Sequence, residues 1–248
     1  MTRIFCGRLA VTASFVVALV MPLTSSAQEG QNQPPPRLQV RTVSLNADGV
    51  QTWVGLQTQL AEANRAAEAP PRLVYEQVRG DLDTYHIVSF PENMAEFDEQ
   101  GENALGDAWG DWVASIVPTV RERSETVLRR HEDLSIPMAE GYEPNLLVVS
   151  NTRIRGGRGG DYHDWLENKL KPALEAAGIT GVYFSHMSHG ASTSICRMAV
   201  HVKDWAALDR RLLADLTGEE RAALFGDLGT LVADTDRRIL QYSADMSN

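Results

Sequence analysis

Histidine and arginine are the side chains in this sequence best able to hold an anion, pass a proton or ligate a metal. They gather toward the second half, where His163, His186, His189 and His201 follow two earlier histidines, His86 and His131. The run Ile195 to Val202 reads as a strand. Its alternate residues Cys196, Met198, Val200 and Val202 are uniformly apolar and belong against helices, which turns Ile195, Arg197, Ala199 and His201 to the other face. A guanidinium and an imidazole two pleats apart on one face could bind an anionic ligand or move a proton. An internal ion pair between Arg197 and a carboxylate such as Glu76 would meet the same electrostatic need without a ligand.

His186-Met187-Ser188-His189 is the most suggestive metal-type spacing. Residues three apart on a continuous strand point to opposite faces, so the rings converge only if the strand ends near Met187 and turns at His189-Gly190. A third ligand such as His201 would still be needed. Solvated histidines at a hairpin end are the simpler expectation, so no metal site and no catalytic residue is assigned. The segment Arg153-Ile154-Arg155-Gly156-Gly157-Arg158-Gly159-Gly160 reads as a flexible loop at the mouth of the fold, whose arginines could attract an anion.

Standard catalytic motifs are missing. The chain has no GxxxxGK[ST] phosphate loop, no HExxH, no CxxC, no CxxCH and no GxSxG. The formal net charge of −10 disfavours nucleic acid and anionic membrane surfaces as partners, since both call for a basic face.

Met1 to Ala27 has the layout of a secretory signal peptide: Arg3 and Arg8, an apolar run Leu9 to Val20, then Pro22 and the small residues Ser25-Ser26-Ala27. The run falls short of the roughly 20 residues that span a bilayer, so cleavage and a periplasmic or secreted location are expected. No membrane span is expected after cleavage. Gln28 to Pro36 ends in three prolines and reads as an extended tether. After cleavage Cys196 is the remaining cysteine, placed in an apolar run that suits a buried, inert thiol.

An internal repeat organises the rest, at an offset of about 112 residues. Trp53 matches Trp165, Ser89 to Glu99 matches His201 to Arg211, and Gly101 to Trp112 matches Gly218 to Leu228. Apolar periodicity alternates between strand and helix in each copy. Copy one reads as strand Leu38 to Val43, a helix from Asp48 to Pro70, strands Leu73 to Val78 and Thr84 to Phe90, a helix broken at Gly101, and strand Thr126 to Arg130. Copy two reads as strand Leu146 to Thr152, helix Asp161 to Ala177, strands Gly181 to Met187 and Ser194 to Val202, a helix restarted by the capping box Thr217/Glu220, and strand Ile239 to Tyr242. The five tryptophans all fall on apolar helical stripes and are expected in the core. By the offset, Tyr85, Ile87 and Ser89 share the face of Arg197, and His86 lies on the helix side.

The fold class is therefore α+β: two tandem ferredoxin-like βαββαβ modules, residues 37–136 and 145–248, joined by a linker at 137–144. Their bare faces are expected to pack together as a pseudo-dimeric barrel with a cavity between the sheets. With the stretches Phe90 to Phe97 and Val202 to Leu208 at the strand-to-helix corners, the chain resembles the dimeric α+β barrel superfamily. That superfamily includes antibiotic-biosynthesis and haem-degrading monooxygenases, EthD-like and NIPSNAP-like proteins and chlorite dismutases. The resemblance implies a pocket and activities ranging from oxygenases to binding proteins, and it leaves the specific family open. Two functions are carried forward. One is binding of a small, partly apolar or anionic ligand through Arg197, His201, His186, Tyr85 and Arg153. The other is a cofactor-independent or haem-handling monooxygenase, with His186 or His201 as the axial ligand if haem binds. A homo-oligomer is compatible with either.

Overall fold

The computed structural model describes residues 37–97, 104–209 and 212–248. The expected signal peptide, the tether and the helix break at Gly101 lie outside the described residues. The first repeat runs β1 (Arg37–Leu45), α1 (Val50–Ala66), β2 (Arg72–Arg79), β3 (Thr84–Ser89), α2 (Trp109–Ile116) and β4 (Val120–Ile136). The second runs β5 (Leu146–Ile154), α3 (Gly159–Trp165), a π turn (Leu166–Leu170) into α4 (Lys171–Ala176), β6 (Val182–His189), β7 (Ile195–Val202), α5 (Gly218–Phe225), α6 (Leu228–Leu231) and β8 (Val232–Tyr242).

Within the repeats the strands lie in the orders β4-β1-β3-β2 and β8-β5-β7-β6. The two sheets also join edge to edge, β2 to β8 and β4 to β6, so all eight antiparallel strands form one closed barrel. Closure removes the unpaired edges that two face-packed sheets would keep. Two strands are much longer than expected. β4 pairs β1 from Val120 to Arg129 and β6 from Val127 to Ile136. β8 begins at Val232 rather than near Ile239. Arg121 to Glu125 has no apolar alternation to mark it as a strand, because its side chains are exposed and backbone pairing to β1 holds it.

Helices cover the outside. In the first repeat Trp53, Trp112 and Ile116 bury Val43, Leu45, Val74, Tyr85 and Ile87. In the second, Tyr162, Trp165, Leu166, Leu170 and Leu174 bury Val182, Phe184, Cys196 and Val200. Two of the buried helix-borne indoles donate to backbone carbonyls: Trp112 Nε1 to that of Leu56 at 2.8 Å and Trp165 Nε1 to that of Leu224 at 2.7 Å. Trp109 and Trp205 are not core residues. Each is about 40% exposed, with Trp109 stacked on Trp112 and Trp205 under the Arg79 guanidinium. The Thr217/Glu220 capping box forms as expected. Burial pushes the Cys196 thiol up to about 12, which keeps it protonated and inert.

The last residues strap the first repeat. Met246 enters the Trp53 core, Ser247 Oγ accepts from the Val74 amide at 2.9 Å, and Arg72 donates to the Met246 carbonyl at 2.9 Å and to Gln57. Among the described residues no helix is long and apolar enough to cross a membrane.

Candidate functional site in the barrel interior

Strand alternation sends every second side chain inward. Two apolar groups result, one of Tyr75, Leu147, Val149 and Leu240, the other of Val40, Leu128 and Met187. Val88 touches both. Inward positions on β1, β2, β3, β5, β7 and β8 also carry polar side chains: Thr42, Gln77, His86, Asn151, Arg197 and Arg238.

His86 is buried, and both its ring nitrogens are engaged, Nδ1 with Thr42 Oγ1 at 3.0 Å and Nε2 with Gln77 Oε1 at 3.1 Å. Gln77 is fixed the other way round by its own Nε2, which donates to the Asp81 carbonyl. Its Oε1 can only accept, so His86 Nε2 carries the proton and Nδ1 accepts from Thr42. That tautomer is neutral. Burial, reinforced by the charges of Arg197 and Arg238, pushes the imidazole down to about 3.

Arg197 Nε donates to Asn151 Oδ1 at 2.9 Å. Among the described residues no carboxylate pairs with it; Arg238, by contrast, bonds Asp236 at 2.8 Å. The expected partner Glu76 is exposed and does not reach Arg197. No side-chain nitrogen or oxygen of the described residues is both sealed and unpartnered. The guanidinium nitrogens that Asn151 does not hold therefore touch accessible space. Burial and the nearby Arg238 bring the Arg197 pKa down to about 10, still charged at neutral pH.

The other sequence-derived candidates scatter. His201 shares the inward face of β7, but four residues from Arg197 it stands about 13 Å away at about 3.3 Å per residue. It lies edge-on to Tyr183 with ring centres 5.6 Å apart, and burial lowers its pKa. Tyr85 faces the helices rather than the interior, its ring tilted against that of Trp53 with centres 4.4 Å apart, and burial raises its phenol to about 12. His86 takes the inward place expected of Tyr85. The cause is one residue of register. Thr42 opposes His86 as Asn151 opposes Arg197, so the repeat is one residue shorter between β3 and β7 than the offset assumed. A slip of one moves every side chain to the other face.

His186 also faces outward, because it opposes Cys196. β6 continues to His189, but a bulge at Ser188 breaks its alternation, and His189 sits exposed at the strand end with its Nδ1 against Ser188 Oγ rather than against His186. Arg153 is strand rather than loop, and pairs with Asp234 at 3.3 Å. Arg155 bonds the Gly229 carbonyl and Arg158 bonds Asp161, so the arginines of that segment are tied rather than free. Sequence reasoning missed Gln77, Asn151 and the inward His86. Matching the two copies strand by strand, rather than by one offset, would have found His86.

Haem does not fit at His186. The ring lies on the helix side, where its Nδ1 meets His131, and the layer between sheet and helices is filled by Tyr162, Trp165, Leu166 and Phe184.

Two βαββαβ repeats whose strands close into one eight-stranded antiparallel ring, with helices outside, make this a dimeric α+β barrel with both halves in a single chain. No protein-family model matches the sequence, and no curated protein does. Solved structures do. A candidate monooxygenase from Fusobacterium nucleatum superposes with a TM-score of 0.60 at 12% identity, covering 84% of this chain and 93% of its own. A candidate monooxygenase from Lactobacillus acidophilus gives 0.58 at 9%, covering 86% and 95%. A chlorite dismutase from Candidatus Nitrospira defluvii gives 0.53 at 7%, covering 85% and 92%. At these identities the likeness is one of fold.

Proposed function

We propose that the barrel interior binds a small molecule combining an anionic group with an apolar body. The observation that carries this is Arg197, a cation inside the barrel with one neutral partner, Asn151, and guanidinium nitrogens left facing accessible space. Such a partly paired charge in a confined interior is better satisfied when an anion meets it. Among the described residues Arg238 is engaged by Asp236 and His86 is neutral, whereas Arg197 has no anionic partner. Tyr75, Leu147 and Val149 offer the apolar walls. A planar carboxylate suits the guanidinium fork well.

The test is native mass spectrometry of the untagged protein, followed by a thermal-shift screen of aliphatic and aromatic carboxylates. A co-purifying acid, or a hit whose affinity falls at least about tenfold in Arg197→Met, is expected from loss of a charge-assisted pair. The same ligand bound equally well by Arg197→Met would overturn the assignment.

A second reading places oxygenase chemistry in the same interior, favoured by the candidate monooxygenases that share the fold. With the substrate itself supplying the electrons, aerobic incubation would then convert a ligand CH2 to C=O with release of one water, a mass gain of one oxygen less two hydrogens, and anaerobic incubation would not. In either case residues 1–27 are read as an export address. N-terminal sequencing of the mature protein should start at Gln28, and a chain beginning at Met1 would sink that part.

A further inference from the structure

On the outer side of the sheet, away from the barrel interior, three histidines and an aspartate from three separate elements converge. His131 and Asp133 come from β4, His163 from α3 and His186 from β6. One ligand-type atom from each of His131, Asp133 and His163 lies within 4.8 Å of the other two. The His131 ring centre is 5.5 Å from that of His163 and 4.9 Å from that of His186. His186 Nδ1 is 2.9 Å from His131 Nε2.

The geometry points to a divalent transition-metal site formed by His131, His163 and Asp133, with His186 beside it. Imidazole nitrogens with one carboxylate are a donor set for zinc, cobalt, nickel or copper, not for magnesium or calcium, which take oxygen ligands. Two imidazoles and one carboxylate leave a fourth position open to water or a small anion, as in zinc sites that are not purely structural. Asp133 is exposed and His131 and His163 are half-buried, so an ion has a path in from solvent. The contact of His186 with His131 is of the kind that orients a ligating ring from behind. Without an ion, the His131 and His163 imidazoles crowd each other beside a single carboxylate, with His186 against His131.

Several features keep this cluster apart from the anion site. Its histidines face α3 rather than the interior, and none touches Arg197. The His186/His189 pair, the metal-type spacing in the sequence, is not the site, because His189 lies beyond the Ser188 bulge at the exposed end of β6, outside the group, and its Nδ1 meets Ser188.

The experiment uses the untagged full chain, stripped with a chelator and titrated with zinc(II) alone, then with cobalt(II) as a spectroscopic stand-in. We expect one zinc per chain, retained against millimolar magnesium, and visible cobalt bands of a low-coordinate nitrogen/oxygen site. His163→Ala and Asp133→Asn should each weaken zinc binding at least tenfold and change the cobalt bands. His189→Ala should leave both unchanged. Far-UV circular dichroism confirms folding, and Asp133→Asn, an exposed isosteric change, serves if His163→Ala misfolds. Less than one zinc per chain, binding lost to magnesium, or variants that bind zinc like the parent would each overturn the site. Loss of carboxylate binding in Arg197→Met would leave this result untouched, so the two sites fail separately.

Discussion

His86 and Arg197 hold equivalent places in the two halves of the barrel. Each lies inward on the third strand of its repeat and bonds the inward residue directly opposite on the first, His86 to Thr42 at 3.0 Å and Arg197 to Asn151 at 2.9 Å. Duplication kept the geometry and changed the chemistry. One copy carries a neutral imidazole whose bonds are complete, the other a cation whose bonds are not. The pseudo-twofold is therefore broken at its interior, and that asymmetry gives the barrel one anion-seeking side chain.

A cation held for a ligand should stabilise the fold little. Replacing Arg197 by Met removes an incompletely paired charge and leaves Asn151 one donor short, two effects that roughly cancel. We expect the apo protein to change by less than about 1 kcal/mol, a shift of roughly 2–4 °C in melting temperature or smaller for a chain of this size. Calorimetry checks it. A drop of about 3 kcal/mol or more would make Arg197 a structural residue instead.

His86 should make stability fall with acid. Its folded pKa, about 3, lies below the ordinary value of 6.5, so between those values the unfolded chain binds the proton that the native state refuses. The stabilisation is complete above about pH 6.5 and is lost as pH drops toward 3, with a slope of up to about 1.4 kcal/mol per pH unit. Comparing urea midpoints of the parent and His86→Gln at pH 7 and pH 5, the parent should lose up to about 2 kcal/mol more than the variant. Parallel losses would show that the native imidazole takes up protons freely.

The C-terminal strap should matter out of proportion to its length. Deleting residues 246–248 withdraws Met246 from the Trp53 core, the Ser247 hydroxyl from the Val74 amide, and the Met246 carbonyl from Arg72. Arg72 is already strained electrostatically, its pKa brought down to about 10 by burial and by Arg41. A cost of about 2–5 kcal/mol follows from the lost apolar side chain and the unpaired groups left behind. Equilibrium unfolding in urea measures it, and a change below about 0.5 kcal/mol would mean the strap merely rests on the surface.

How far the site could be read from residues alone depended on strand and register. The parity of β7 was legible because Cys196, Met198, Val200 and Val202 are uniformly apolar and meet the helices of the second repeat. β3 offers no such contrast: Thr84, Tyr85, His86 and Ile87 are all buried, two toward each side. Its facing had to be borrowed from the other copy, and an offset wrong by one residue turned Tyr85 inward and His86 outward. Glu76 failed as a partner for a similar reason, since pairing with Arg197 required knowing which face each strand shows.

The order of strands and helices, the duplication, the capping box and the apolar face of β7 were all properties of the sequence by itself. Each rests on local periodicity or on contacts between residues a few positions apart, which the chain carries wherever it goes. Ring closure, the pairing of β2 with β8 and β4 with β6, the docking of residues 243–248, and the meeting of His131 with His163 and His186 were decided by the tertiary structure. Those are hydrogen bonds and contacts between distant segments. The polar strand end Arg121 to Glu125 is likewise a tertiary outcome, since it becomes strand only because the β1 backbone lies alongside.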